Sequence, residues 1–226
     1  MCGRINVSDN EGVRLLLEML GMETWPQRDP RYNIAPTQSL DVVGWHNEAP
    51  TLSSMRWGIV PAWAKPGTFS RPLINARSET VREKPSFRNL IKSQRVLVPV
   101  NGYYEWHREN KTKTPYYITP STSAAMFIAG IYQKPTKAMV DELGKKAKSD
   151  VCVLTIEANQ SLSQVHNRMP ILISADDALT WIQPNSAESI DALLLQASND
   201  ALHYREVSSF VNSSRNEGPE CIEEVA

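Results

Sequence analysis

Residues 95–106 read Arg95-Val96-Leu97-Val98-Pro99-Val100-Asn101-Gly102-Tyr103-Tyr104-Glu105-Trp106. The first half, 95–100, is a β-branched and aliphatic run that reads as a strand. Six more runs share its character: Leu40–Trp45, Ser53–Val60, Pro115–Ile118, Met126–Tyr132, Val151–Ile156 and Pro170–Ile173. Helical patterns are short. Val13, Leu16, Leu17 and Leu20 share one face, with Gly21 as stop. Ala175–Ile182 follows Ser174, a good N-cap, with Asp176 and Asp177 in its first turn. Ser78–Ser93, interrupted at Pro85, and Ser189–Ala197 also read as helical, whereas Lys-rich 135–150 reads as a surface loop. Strands and helices mix without regular βαβ alternation. That predicts an α+β fold with a largely antiparallel or mixed, barrel-like sheet core flanked by helices, in one domain spanning residues 1–226.

The 226 residues can bury a sizeable core, and 41% hydrophobic with 22% charged residues is a globular balance. No apolar run reaches the roughly 18 residues of a membrane helix, and Arg4, Asp9, Glu11 and Arg14 interrupt any signal-peptide core. Cys2, Cys152 and Cys221 lack CxxC spacing, so neither a disulfide framework nor structural zinc is expected, and a reducing cytoplasm is. The four histidines form no HExxH pair. Phosphate-loop, dinucleotide and nucleophile-elbow motifs are missing, and no metal or cofactor is implied.

The formal net charge of −1 hides a strong asymmetry. Residues 56–118 hold 12 Lys/Arg against 4 Asp/Glu, while residues 149–226 hold 3 against 12. The basic block is mostly arginine (Arg56, Arg71, Arg77, Arg82, Arg88, Arg95 and Arg108). Arginine grips phosphates and stacks on bases, so the block reads either as a nucleic-acid footprint or as a face balanced by the acidic third.

Met1 precedes a small residue, so methionine aminopeptidase should expose Cys2 as the mature N-terminus. An α-amine is roughly 10% neutral at pH 7 and a lysine amine roughly 0.04%. A neutral amine attacks an aldehyde to give an imine, and the neighbouring thiol can then close a five-membered thiazolidine. Gly3 permits close backbone approach and Arg4 supplies an anion clamp. Other clusters concentrate polar and aromatic groups. Arg31-Tyr32-Asn33-Ile34-Ala35-Pro36 mixes a base-stacking aromatic with polar side chains. Trp57 reads as core, and Trp63, beside Ala64-Lys65-Pro66, as exposed. Asn75 and Arg77 share one side of an extended segment. Glu105 among aromatics should be desolvated and poised for acid/base work unless an arginine pairs with it. His166 precedes Arg168 just before an apolar strand.

The ordered set resembles the SOS-response-associated peptidase (SRAP) family. It comprises Met1-Cys2-Gly3-Arg4, Arg31-Tyr32-Asn33-Ile34-Ala35-Pro36-Thr37, Trp57-Gly58, Pro61-x-Trp63, Asn75-Ala76-Arg77-x-Glu79-Thr80, Gly102-Tyr103-Tyr104-Glu105-Trp106 and His166-x-Arg168-Met169-Pro170. The resemblance implies a monomer that binds single-stranded DNA at abasic sites and crosslinks to the ring-opened sugar through Cys2. It also implies a shielding role in the damage response, weak lyase activity through β-elimination, and self-processing of Met1. Carried over, Cys2 is the nucleophile, Asn75 holds the opened sugar, and Glu105 and His166 form the acid/base pair. Arg4, Arg77 and Arg168 grip phosphates, Trp63 wedges or stacks, and Asn33 and Pro36 complete the DNA-binding set. Ile5 departs from an aromatic, and Asn101 and Asn167 from acidic residues, common at those places in the family.

Two other classes fit part of the pattern. Class II glutamine amidotransferases also open Met-Cys-Gly and represent an N-terminal-nucleophile hydrolase. A non-catalytic reader of modified bases would leave Cys2 dispensable.

Overall fold

In a computed structural model, which describes residues 2–23, 25–64, 71–110, 112–144, 147–184, 187–196 and 202–225, the expected α+β architecture is present. The elements run β1 (Ile5–Val7), α1 (Asn10–Glu18), β2 (Arg31–Ile34), β3 (Ser39–His46), β4 (Ala49–Trp57), β5 (Asn75–Arg77), α2 (Leu90–Ser93), β6 (Arg95–Val100), β7 (Gly102–Glu109) and β8 (Thr112–Pro120). They continue with β9 (Met126–Gln133), α3 (Lys137–Leu143), β10 (Asp150–Glu157), β11 (Arg168–Pro170), β12 (Leu172–Ile173), α4 (Ala175–Ile182), α5 (Ala187–Gln196) and β13 (Leu202–Glu206).

β6 pairs with β3 and β9, and β10 joins β9 to β4, so β3, β4, β6, β9 and β10 close into a ring. Only β10 makes parallel pairs among the described strands, with β4 and β5. A second, antiparallel sheet runs β13-β8-β7-β1-β2. The period-2 alternation of the ring strands assigns their faces. Leu97, Phe127, Ala129, Cys152 and Leu154 pack with Leu17, Ile91, Trp181 and Leu194 of the helices. Val96, Val98, Ile128, Val151 and Val153 pack instead with Ile5, Ile34, Tyr103 and Ile118 of the second sheet.

α1 and α4 start where their caps dictate, with the Asp9 and Ser174 side chains accepting from Gly12 and Asp177 N–H. Two sequence expectations are corrected. Ser78–Ser93 is not one helix; a 3-10 turn at Ser78–Thr80 and a run of turns precede the four-residue α2. The Lys-rich segment 135–150 contains α3, capped by Thr136, whose side chain accepts from Met139 N–H. Residues 145 and 146 of that segment lie outside the described set. No helix among the described residues is long and apolar enough to cross a membrane.

Asn101 links three connections. Its Oδ1 accepts from Ser8 and Asp9 N–H at 2.9 and 3.0 Å, and its Nδ2 donates to the Asp9 and Ala124 carbonyls at 3.2 and 2.9 Å. The next residue must be glycine for packing reasons, because a Cβ there would lie 2.6 Å from the Ile118 carbonyl oxygen. An aspartate at 101 would turn an oxygen towards two carbonyls. Asn101→Asp is therefore expected to cost about 2–3 kcal/mol, read as a lower urea midpoint with an unchanged m-value.

Candidate active site

The second sheet delivers Cys2. Ile5 pairs with Tyr103 and Asn6 with Gly102, and the ladder continues as Tyr104 N–H donates to the Arg4 carbonyl at 3.0 Å. Extending that antiparallel register places Gly3 opposite Glu105. Tyr103 and Glu105, two apart on β7, therefore share the face towards the ring, while Tyr104 and Trp106 face the other way. Cys2, Ile5 and Tyr103 are fully buried in one apolar cluster.

The ring delivers Asn75. β5 pairs in parallel with β10, with Asn75 opposite Val153, and the buried Trp57 indole N–H donates to the Ile74 carbonyl at 3.0 Å. This holds the Asn75 side chain so that Nδ2 donates to the Cys2 carbonyl at 2.9 Å. Trp57 is a core residue, as its sequence context suggests.

β11 delivers the third group. Arg168 lies opposite Glu157 of β10, and its guanidinium forks onto Glu79, with Nη1–Oε1 at 2.5 Å and Nη2–Oε2 at 2.9 Å. Nη2 also donates to the Thr155 carbonyl at 2.7 Å. The Arg168 backbone N–H donates to His166 Nδ1 at 3.0 Å, which orients the ring. The imidazole acts electrostatically on the Glu105 carboxyl.

Glu105 is 4% exposed. Burial raises its pKa above the ordinary carboxylate value, and the N-terminal amine, then His166, partly oppose that rise. Burial, then the nearby Glu105 charge, pushes the Cys2 thiol well above its usual range. A thiol held in that way stays protonated until a base takes the proton. The site thus combines a protonated thiol, a carboxyl shifted towards neutrality and an oriented imidazole: a nucleophile with a paired acid and base.

The remaining residues fall into two groups. Arg77 is exposed, Trp63 is 62% exposed and Pro36 is half-buried. Arg4 and Asn33 instead clamp the C-terminal segment behind Cys2. Arg4 Nη1 donates to Asn33 Oδ1 at 2.5 Å and to the Val211 carbonyl at 2.8 Å, with its guanidinium 5.5 Å above the Trp106 ring. Asn33 Nδ2 donates to the Ser213 and Asn216 carbonyls at 2.9 and 2.8 Å. Sequence reasoning assigned no role to Tyr103, although its two-residue spacing from Glu105 on a strand was the available signal. Nor did it pair Glu79 with Arg168, a contact between distant segments.

Comparison with known proteins places the chain. The family model described as SOS response associated peptidase (SRAP) matches residues 1–214. A Bacillus subtilis protein named abasic site processing protein YoaM is 34% identical over 86% of this chain and 85% of its own. Escherichia coli abasic site processing protein YedK is 30% identical over the full length of both chains. A crystal structure of a Bacteroides thetaiotaomicron protein superposes with a TM-score of 0.79 at 21% identity over all of both chains.

The raised Glu105 pKa has a stability consequence. An acid whose folded pKa lies above its unfolded value costs no stability at low pH. It costs progressively more as pH rises from the unfolded value of 4.5 through the folded one. Glu105→Gln removes that penalty. The variant is expected to match the parent below pH 4.5 and to denature at higher urea than the parent at pH 7; equal midpoints at both pH values would contradict it.

Proposed function

The chain belongs to the SOS response associated peptidase family, and from that premise we propose that it binds DNA at abasic sites and crosslinks to them through the N-terminus of mature Cys2. The observation that carries this reading is the convergence of Cys2, Asn75, Glu105 and His166 from four separate segments: Asn75 bonds the Cys2 carbonyl, and Glu105 acts on Cys2 and is acted on by His166. The printed names of the relatives support abasic-site processing as the substrate class.

The chemistry follows from the groups present. The abasic sugar is mainly a closed hemiacetal. Glu105 or the His166 imidazole gives a proton to the ring oxygen while the C1′ hydroxyl loses one, opening the aldehyde. The Cys2 amine adds to C1′, and the resulting carbinolamine loses water, its hydroxyl leaving with a proton from Glu105. That loss leaves a protonated imine; the Glu105 carboxylate so formed takes the thiol proton, the sulfur bonds to C1′, and the C=N π pair returns to nitrogen as the thiazolidine closes. Asn75 holds the opened sugar beside the Cys2 backbone. Arg77 and Trp63, both exposed, and Pro36 meet the flanking strand. Arg4 and Arg168 approach phosphates from positions fixed by Asn33 and Glu79. A single-stranded substrate suits the site because an abasic position has no base to unstack. Weak strand cleavage by β-elimination from the imine, and self-removal of Met1, belong to the same reading. The damage-response role, monomeric state and cytoplasmic setting expected for it belong there too.

A hydrolase that uses the thiol first is less well supported. Burial and the Glu105 charge suppress the thiolate such an enzyme requires.

The test is a single-stranded oligonucleotide with one abasic site, incubated with mature protein and run on a denaturing gel. A shifted band is expected, lost in Cys2→Ala and formed more slowly by Glu105→Gln at neutral pH. Binding to intact DNA is expected to be weak and to fall with added salt, whereas the adduct survives salt. A gel without any denaturation-resistant species rejects the reading.

A further inference from the structure

Among the polar side-chain atoms buried without a hydrogen-bond partner among the described residues are the Tyr103 hydroxyl and Asn75 Oδ1. Tyr103 is fully buried, so its hydroxyl has no bulk water in compensation. Native proteins satisfy most such groups, and an orphaned one asks for a partner. The orphaned pair has a shared location. Asn75 Nδ2 already holds the Cys2 carbonyl, which leaves Oδ1 at the same place. Tyr103 stands across the ladder from Ile5 and on the Glu105 face of β7, inside the cluster that contains Cys2.

We propose that the Tyr103 hydroxyl is a catalytic hydrogen-bond donor to the C1′ oxygen of the opened sugar, acting opposite Asn75 Oδ1, which accepts from the attacking Cys2 amine. This rests on the crosslinking reading above. When the amine nitrogen adds to C1′, the carbonyl π pair moves onto oxygen, and a donor already aimed there stabilises that charge without reorganisation. The amine gains positive charge in the same step, which strengthens the N–H bond to Asn75 Oδ1. Tyr103 keeps its proton throughout. Burial, then the Cys2 and Glu105 charges, holds its hydroxyl well above the ordinary tyrosine value, so it donates a hydrogen bond rather than a proton. The proton that accompanies the departing water comes from Glu105. The unpaired hydroxyl is thus a cost to the folded state that the C1′ oxygen relieves during reaction.

Tyr103→Phe keeps the ring and deletes only the orphaned group. Its thermal midpoint is expected to equal or exceed the parent's, since no protein hydrogen bond is lost. Its single-turnover adduct rate should fall about tenfold to a hundredfold, in parallel across pH, with the midpoint of the profile unmoved. Affinity for an oligonucleotide with a reduced abasic site, which has no aldehyde, should be unchanged. Replacing Tyr103 by 3-fluorotyrosine, a more acidic phenol of nearly the same size, should give at least the parent rate. A Tyr103→Phe rate equal to the parent, or a clear drop in its midpoint, overturns the proposal. Absence of adduct from the parent protein overturns the crosslinking reading instead, so the two failures are separable.

Discussion

A chain terminus frays unless something holds it, and here the residue on which the proposed chemistry rests, Cys2, stands next to the terminus. Ordering each residue costs about 1–2 kcal/mol of backbone entropy. The fold offsets this by placing β1 between β2 and β7 and burying Ile5 and Cys2 completely. Full burial of an isoleucine side chain alone contributes about 1.5–3 kcal/mol. The Arg4–Asn33 clamp then ties the same strand to the Val211–Asn216 segment, so both ends of the chain secure one residue. A lysine inside any strand would be easier to hold. It would offer a neutral amine at more than a hundredfold lower population, and it has no adjacent thiol.

The same burial sets the electrostatics. Glu105, Cys2 and Tyr103 are each desolvated, and Glu105 raises the pKa of both neighbours. All three are driven towards their neutral forms. Such a cluster is costly to fold but well suited to a reaction that needs a neutral amine, an undissociated acid and a thiol activated late. The hydrophobic side chains packed around Cys2 and Tyr103 come largely from the ring strands, so the proposed chemistry and core packing draw on the same residues. Stability and reactivity are opposed here by construction.

Much of this was legible in the sequence because it is local. The run at 95–100 is β6, and Ser174 caps α4 at the expected residue. Other elements were not legible, because long-range contacts override weak local signals. β1 and β13 are three and five residues with no distinctive pattern, and their ladders define them. Gly102–Glu109 reads as an aromatic cluster, yet β8 pairing makes it a strand. Asn101 was noted only as a departure from an acidic residue, whereas its amide uses both ends to join the β1–α1 turn to the β8–β9 turn. A carboxylate could not serve the two carbonyls. The sequence singled out these residues, but not the division between those grouped around Cys2 and those, such as Asn33, that clamp the C-terminal segment.

The basic block shows why segment charge is a poor substitute for a surface. Arg56 forks onto Asp150, and Arg82 pairs with Asp191 from the acidic third. Arg95 is buried and donates to the Trp181 and Gln183 carbonyls near the end of α4 and to the Ile91 and Lys92 carbonyls of α2. There it satisfies helix-end carbonyls and opposes the negative ends of both helices. Three of the seven arginines are thus fasteners of the fold, and Asp150 and Asp191 neutralise the charge of two of them. Arg71, Arg77, Arg88 and Arg108 remain exposed. Four exposed guanidiniums release few counterions on contact with DNA, so an electrostatic complex alone would be weak. On the proposed reading, such a protein would gain persistence on a lesion through a covalent bond, and the near-neutral balance would leave it little hold on undamaged strands.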